Sequence, residues 1–355
     1  PLRHLLLVNL HHIISDAWSV SLMVKETVAL YRAFTRGNSN PLAPLGLHYK
    51  DFAAWQNALL AGESARAHRE YWHAQLAPPL EPLALPLDGM RPALPTFRGD
   101  RVCHSFEASA TEMLRRFSRT HGGTVFSTLI ALVKTLLYRY TGQPDIIVGS
   151  PVSNRSLEEL EDQIGFYVNT VALRDRIKGE ESFLDLFHRV KGTVTSALEH
   201  AVYPFDLLVE ELVVPRDLSR TPIFDVMVVW QDASRQTLEL EDVRISEFNV
   251  DWRVSKFSLS FEFVENGDGS VTLNLEYDRD LFRRERVERL AGHFSELLKH
   301  ALENPAQAVG AIDFLPPRER EQLLRQNPAP EIPTDQTVVS SFEEIAATRP
   351  ESVAV

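Results

Sequence analysis

Six of the 21 prolines fall between residues 77 and 101: Pro78, Pro79, Pro82, Pro86, Pro92 and Pro95. Proline lacks an amide donor and holds φ fixed, so neither a regular helix nor a central strand can run through that density. The segment therefore reads as an extended connector rather than a packed element. It divides the chain into two parts, and at 355 residues each part is long enough for a core of its own.

Before the connector, the apolar run Leu5 to Val8 reads as a buried strand. Val20, Met23, Val24, Val28, Leu30, Tyr31 and Phe34 recur at helical spacing, predicting a helix over 19–36 that ends at Gly37-Asn38. Further helices are expected at 49–60 and 64–76. Beyond the connector, strands are expected at 102–106, 145–149, 166–173, 226–230, 257–264 and 271–277. Helices are expected at 111–121, 124–141, 182–199, 205–212 and 286–302. Strands and helices mix without a fixed repeat, so the class is α/β (α+β), not a solenoid or barrel.

The formal net charge is -12, which argues against a nucleic-acid partner, because phosphate binding needs a basic surface. No apolar stretch reaches the roughly 18 residues of a membrane helix, and no signal peptide opens the chain. With the lone Cys103 no internal disulfide can form. Cys103 sits in the alternating run 101–106 and reads as a packing residue, not a nucleophile. A cytoplasmic setting with no membrane partner is expected. Both ends read as cuts through a larger polypeptide, the last residues looking like a strand.

The chemistry concentrates in Leu10-His11-His12-Ile13-Ile14-Ser15-Asp16-Ala17-Trp18-Ser19. Adjacent residues on a strand face opposite ways. If the strand persists to its end, one histidine faces a cavity and the other packs or hydrogen-bonds. A histidine exchanges a proton near neutral pH, and an aspartate can hold a ring or loop in place. That combination suits acyl transfer from a thioester to an amine. A metal at His12 and Asp16 would need a further ligand, and no HxH, CxxC or HExxH spacing supplies one. A Ser/His/Asp hydrolase needs a G-x-S-x-G elbow, which Gly149-Ser150-Pro151 does not match.

Seven motifs in order resemble the condensation domain of nonribosomal peptide synthetases over roughly residues 1–320. His11-His12-Ile13-Ile14-Ser15-Asp16-Ala17 looks like HHxxxDG, and 49–56 looks like YxDFxxWQ. Leu85-Pro86-Leu87-Asp88 with Arg91-Pro92 is similar to the crossover linker. Residues 149–155 and 164–170 resemble the GxPVxNR and IGxFVNT blocks, and 203–206 and 216–224 complete the set. Residues 342–355 look like the opening of an adenylation domain. The resemblance implies the C-terminal part of a first lobe at 1–80, a crossover linker at 81–101 and a second lobe at 102–320. It also implies an interdomain linker at 321–340 and the start of an adenylation domain at 341–355.

In that family two chloramphenicol-acetyltransferase-like lobes form a V around a tunnel; here the first lobe is expected to be incomplete. The implied reaction joins a donor acyl or peptidyl thioester to the amine of an acceptor aminoacyl thioester. Both are carried on 4'-phosphopantetheine arms of upstream and downstream peptidyl carrier domains, with no cofactor bound by the domain itself. The implied catalytic set is His12, His11 and Asp16. His12 faces the tunnel and either accepts the amine proton or orients the amine and stabilises the tetrahedral intermediate. His11 is structural, and Asp16 ion-pairs with an arginine, for which Arg155 is the candidate. Ala17, Trp18, Asn169, Trp230 and Gln231 are expected as tunnel lining or support, with ordinary packing or capping as the alternative for the last three. Trp55 anchors a helix.

Two positions depart from the family pattern. Ala17 replaces a glycine, which would cost on the order of 1 kcal/mol if its φ were positive, and reduced activity is expected from it. Ser258 stands where an aspartate is expected. The competing reading is a condensation-like domain that recruits a carrier or partner enzyme without amide synthesis.

Overall fold

The computed structural model describes residues 4–155, 157–212, 217–232, 239–240, 243–244, 253–326 and 337–351. Packing divides the chain into Pro1–Phe314 and Leu315–Val355.

The first unit opens with three helices, α1 (Ala17–Thr35), α2 (Tyr49–Ala61) and α3 (Ser64–Gln75). The remainder is an α/β assembly: β1 (Gly99–Ser105), α4 (Ala108–Thr120), α5 (Val125–Thr141), β2 (Asp145–Val152), β3 (Asn169–Arg176), α6 (Phe183–Glu199), α7 (Phe205–Glu211) and β4 (Val226–Asp232). A two-residue ladder follows, β5 (Glu239–Leu240) with β6 (Val243–Arg244), then β7 (Leu259–Glu265), β8 (Val271–Asp278) and α8 (Arg284–Glu303). Six strands form one mixed sheet in the order β1-β8-β7-β4-β2-β3. Its central pairs, β7–β4 and β4–β2, are parallel; the outer pairs are antiparallel.

Helix α5 is buried at every position from Ser127 to Leu137, as expected for a helix apolar on all sides. It packs against α4, α6, α8 and β2. Thr124 caps it in a reciprocal box with Ser127, and Gly142 ends it at φ 69°, where a side chain would be strained. Strand β8 alternates buried and half-buried positions along its whole length, so the sheet presents one face to the core.

Three expectations are corrected. Leu5, Leu6, Leu7 and Val8 form no strand and are all exposed, because no strand among the described residues pairs with them. Cys103 does lie on a strand, β1, but on its open face: Val102 is buried while Cys103 is exposed. The proline-rich connector is extended and has no regular element before β1, yet it is packed. Leu83 is in the core, and Leu80, Leu85 and Leu87 pack against it. Prolines need no amide partner, and several of the polar groups around them are bonded. The Arg174 guanidinium donates to the carbonyls of Ala77 (2.6 Å) and Pro79 (2.9 Å). Asp88 accepts from Arg286 Nε at 2.7 Å and from the Arg283 amide at 3.0 Å.

The second unit contains α9 (Pro317–Gln326) and α10 (Val338–Thr348), the latter capped by Thr337 with Ser340. Both helices run into the expected 321–340 linker. The prolines Pro328, Pro330 and Pro333, and the strand expected at the chain end, lie outside the described residues.

Candidate active site

The two histidines do not end a strand. Residues His12–Ile14 form one turn of 3-10 helix, and His11 caps it by accepting the Ile13 amide at Nδ1, 3.1 Å. Alternation across a strand therefore has no bearing on which histidine is exposed. Nδ1 of His12 lies 2.6 Å from the Ser15 carbonyl. A carbonyl only accepts, so this nitrogen carries the proton and the neutral ring has its lone pair at Nε2. Among the described residues Nε2 has no hydrogen-bond partner, and the ring is exposed. The Phe166 ring meets it edge to face, with centroids 5.3 Å apart.

The turn hands the chain to α1 through Asp16, the N-cap. Its Oδ1 accepts the Ser19 amide (2.8 Å) and the Ser19 hydroxyl (2.7 Å), and its Oδ2 accepts the Tyr167 amide (3.1 Å). Arg155 Nη2 stands 3.3 Å from Oδ1. Asn154, the residue before it, has a positive φ of 32°. The Arg155 side chain is 2% exposed. It also donates to the Leu160 carbonyl, to the Gln163 carbonyl (2.9 Å) and to Ser19 Oγ (3.0 Å), and it lies 4.0 Å from the Tyr167 ring centroid.

Burial pushes the Asp16 carboxyl upward, but the Ser19 amide and hydroxyl, the Tyr167 amide and the Arg155 charge outweigh it and hold the group below its usual value of 3.8. A lowered carboxyl stabilises the fold above its unfolded value, and that contribution is lost as pH falls through the folded one. Asp16→Asn is expected to lower stability at pH 7 and to flatten the acid limb below about pH 4, where carboxyl groups titrate. Urea midpoints measured from pH 7 down to pH 3 check this; parallel curves for both proteins would contradict it.

Ala17 is the first residue of α1 and is not among the positive-φ residues, so the backbone strain expected of it is absent. Ala17→Gly is expected to bring no gain in rate and to destabilise α1 by at most about 1 kcal/mol. A thermal melt alongside a rate measurement decides; a faster glycine variant would show that the methyl group itself obstructs the site.

Trp18 donates its indole N–H to the Glu161 carbonyl at 2.8 Å. The other expected lining residues do not gather around His12. Asn169 is a clamp: its Nδ2 donates to the Ala201 and Tyr203 carbonyls, both at 2.7 Å, and its Oδ1 accepts the Thr170 (2.8 Å) and Phe205 (3.1 Å) amides. The amide is fully used on backbone, which is the capping role. Trp230 packs against the core, and Gln231 donates to Glu262 at 2.9 Å. Ser258 accepts from Arg91 (3.0 Å) and donates to Asp225 (3.3 Å), tying the connector to the residue just before β4. Trp55 is exposed, and it is Phe52 of the same helix that is buried, against Leu160 and Tyr167. Among the described residues no three His, Cys, Asp or Glu side chains form a metal-binding group.

Sequence reasoning quoted Ser19, Tyr49 and the triplet Gly165-Phe166-Tyr167 as members of motifs but assigned none of them a role in the site. Ser19 is fully buried. Its hydroxyl proton can go to Asp16 or to the Gly165 carbonyl (2.8 Å), and the oxygen accepts the Gly165 amide (3.0 Å). The signal available was a glycine before two aromatics, although nothing local points it at residue 19.

The family model for the condensation domain matches residues 2–324. The chain belongs to the condensation-domain family of nonribosomal peptide synthetases. It is 39% identical to one of the linear gramicidin synthase subunits of Brevibacillus parabrevis over 353 residues, 98% of this chain and 4% of that protein. It is 38% identical to one of the plipastatin synthase subunits of Bacillus subtilis, over 99% of this chain and 10% of that protein. The chain thus spans a small part of these relatives. Among solved structures, the X-domain from teicoplanin biosynthesis matches with a TM-score of 0.78 at 27% identity, covering 86% of this chain and 70% of that one. The first condensation domain of the calcium-dependent antibiotic synthetase, in complex with a substrate analogue, matches with a TM-score of 0.69 at 21% identity, covering 86% and 66%. This condensation domain has the mixed α/β fold of those structures, an open sheet with helices.

Proposed function

We propose that the domain forms an amide bond between two carrier-bound substrates. The acceptor amine nitrogen attacks the donor thioester carbon, the C–N bond forms and the C–S bond breaks. The amine gives up a proton, and the donor arm leaves as its thiol. The observation that carries this reading is the state of His12. With Nδ1–H engaged by the Ser15 carbonyl, the neutral ring can only accept at Nε2. It therefore receives the proton of the attacking amine, or holds that amine by its N–H; a ring that has taken the proton then carries an Nε2–H able to donate to the tetrahedral intermediate. Bringing both thioesters to one site makes the attack effectively intramolecular.

Asp16 and Arg155 act on this chemistry by holding the turn that carries His12, and His11 shapes that turn; none of the three handles the substrate. The phosphopantetheine arms belong to the upstream and downstream carrier domains, and the domain itself binds no cofactor. In this reading 1–80 and 102–320 contribute to the two lobes with 81–101 crossing between them. An adenylation domain continues from 341–355, and the synthetase works in the cytoplasm. No helix among the described residues is long and apolar enough to cross a membrane.

A second reading, recruitment of a partner enzyme without amide synthesis, draws on the X-domain, which is known in complex with OxyB. The synthetase relatives are more similar in sequence and favour the first reading. The deciding experiment loads both carriers of the intact synthetase and follows dipeptidyl-carrier formation by intact-protein mass spectrometry. Amide product is expected. Loaded carriers on a folded protein with no product would favour recruitment.

A further inference from the structure

A single hydrogen bond at Nδ1 settles the tautomer of His12 but leaves the ring free to swing about that bond. Phe166 closes off the swing, with its ring at 88° to the imidazole and centroids 5.3 Å apart. Phe166 is itself held from three sides. The amide and carbonyl of Gly165 both bond Ser19 Oγ, at 3.0 and 2.8 Å. The Phe166 carbonyl accepts from Tyr49 Oη at 3.0 Å. The Tyr167 amide donates to Asp16 at 3.1 Å. Every residue of the triplet thus has a backbone group bonded to α2 or to the segment that carries His12. The approach is close enough to require glycine at 165, where a Cβ would stand 2.4 Å from Tyr49 Cδ2 and 2.8 Å from Tyr167 Cε2. Phe166 remains 37% exposed, so filling the core does not account for this much anchoring.

We infer that Phe166, presented by Ser19 and Tyr49, is a positioning residue that sets the direction of His12 Nε2 before the amine arrives. The inference rests on the amide-forming reading of His12. A proton acceptor must meet its donor within hydrogen-bond reach and in line, and an ångström of misplacement far from the chemistry is enough to slow a reaction. Ser19 and Tyr49 act one step further back, through the backbone of the triplet.

The test uses the intact synthetase with both carriers loaded and compares Phe166→Ala, Phe166→Leu, Phe166→Tyr and His12→Ala. Phe166→Ala is expected to lower kcat about tenfold with little change in KM for the acceptor carrier. Phe166→Tyr keeps the ring and restores the rate. Phe166→Leu fills space without a ring and does not. In the His12→Ala background, Phe166→Ala should bring no further loss, because its effect passes through His12. A further loss of similar size there, or rescue by leucine, would assign Phe166 to packing and overturn the inference. A slow His12→Ala with a normal Phe166→Ala overturns it as well and leaves the role of His12 standing. An undiminished rate in His12→Ala instead overturns that role, and the inference with it.

Discussion

Replacing His12 with alanine is expected to slow dipeptidyl-carrier formation by about 10²- to 10⁴-fold, the range that a positioned proton-transfer group contributes. The turn around His12 is built to leave one nitrogen available. Its Nδ1 is committed to the Ser15 carbonyl, and Nε2 has no partner among the described residues. The loop beneath is locked by Asp16, Ser19 and Arg155, so removing the imidazole leaves the scaffold in place. The loss should therefore fall on kcat and not on the folded fraction. His12→Gln separates the two remaining roles. An amide oxygen can hold an amine N–H but cannot take its proton near neutral pH. A glutamine variant as slow as alanine assigns proton transfer to His12; one that keeps much of the native rate assigns orientation. Native rates in both would remove His12 from the mechanism.

The second large effect lies far from that chemistry, in the core. Lys134 of α5 and Asp175 of β3 form an ion pair with side-chain exposures of 0% and 1%, and Thr193 of α6 donates to the same carboxylate at 2.7 Å. Burial pushes the Lys134 ammonium pKa down, and the Asp175 charge beside it opposes that shift. The pair joins the central helix to a sheet strand, and neither charge has water to fall back on. Asp175→Ala is expected to destabilise the domain by about 3–5 kcal/mol, because it leaves a buried ammonium uncompensated. Lys134→Met combined with Asp175→Leu removes both charges and is expected to be close to neutral. Urea denaturation of the three proteins checks the pair. A single variant as stable as the native protein would mean that the vacated ammonium finds another partner, and a double variant as damaged as the single would mean that packing, not charge, is at stake.

Much of the local structure was legible. Helix periodicity placed α1, α2, α3, α6 and α8 to within a few residues, and Thr124 and Gly142 bracket α5 through backbone chemistry that depends only on neighbours. The errors share a cause. The strand expected at Leu5–Val8 has the right composition, but hydropathy cannot tell whether another strand is there to receive its hydrogen bonds. Cys103 sits in a strand as expected, but the side of the strand that faces the core depends on where α8 and β8 lie. The connector was expected to be loose because proline excludes regular elements; its leucines pack all the same.

The site follows the same division. The chain's own order of residues determined that a histidine pair, an N-capping aspartate and a helix would be neighbours, since all lie within ten residues and their bonds close short loops. Through the motif set it also gave the family, and it offered Arg155 as a candidate partner for Asp16, a pair that the structure then shows. Local geometry also left the His12 Nε2 free, through the Ser15 carbonyl three residues on, and placed Ala17 in an unstrained helical turn. Only the tertiary structure decided that Asn169 is spent on the carbonyls of Ala201 and Tyr203. Only it brought Gly165 to Ser19 across 146 residues and Phe166 onto the imidazole. Contacts between sequence neighbours are dictated by local dihedral and hydrogen-bond preferences. A contact between distant segments instead depends on how every intervening element packs, and no short window of sequence contains that information.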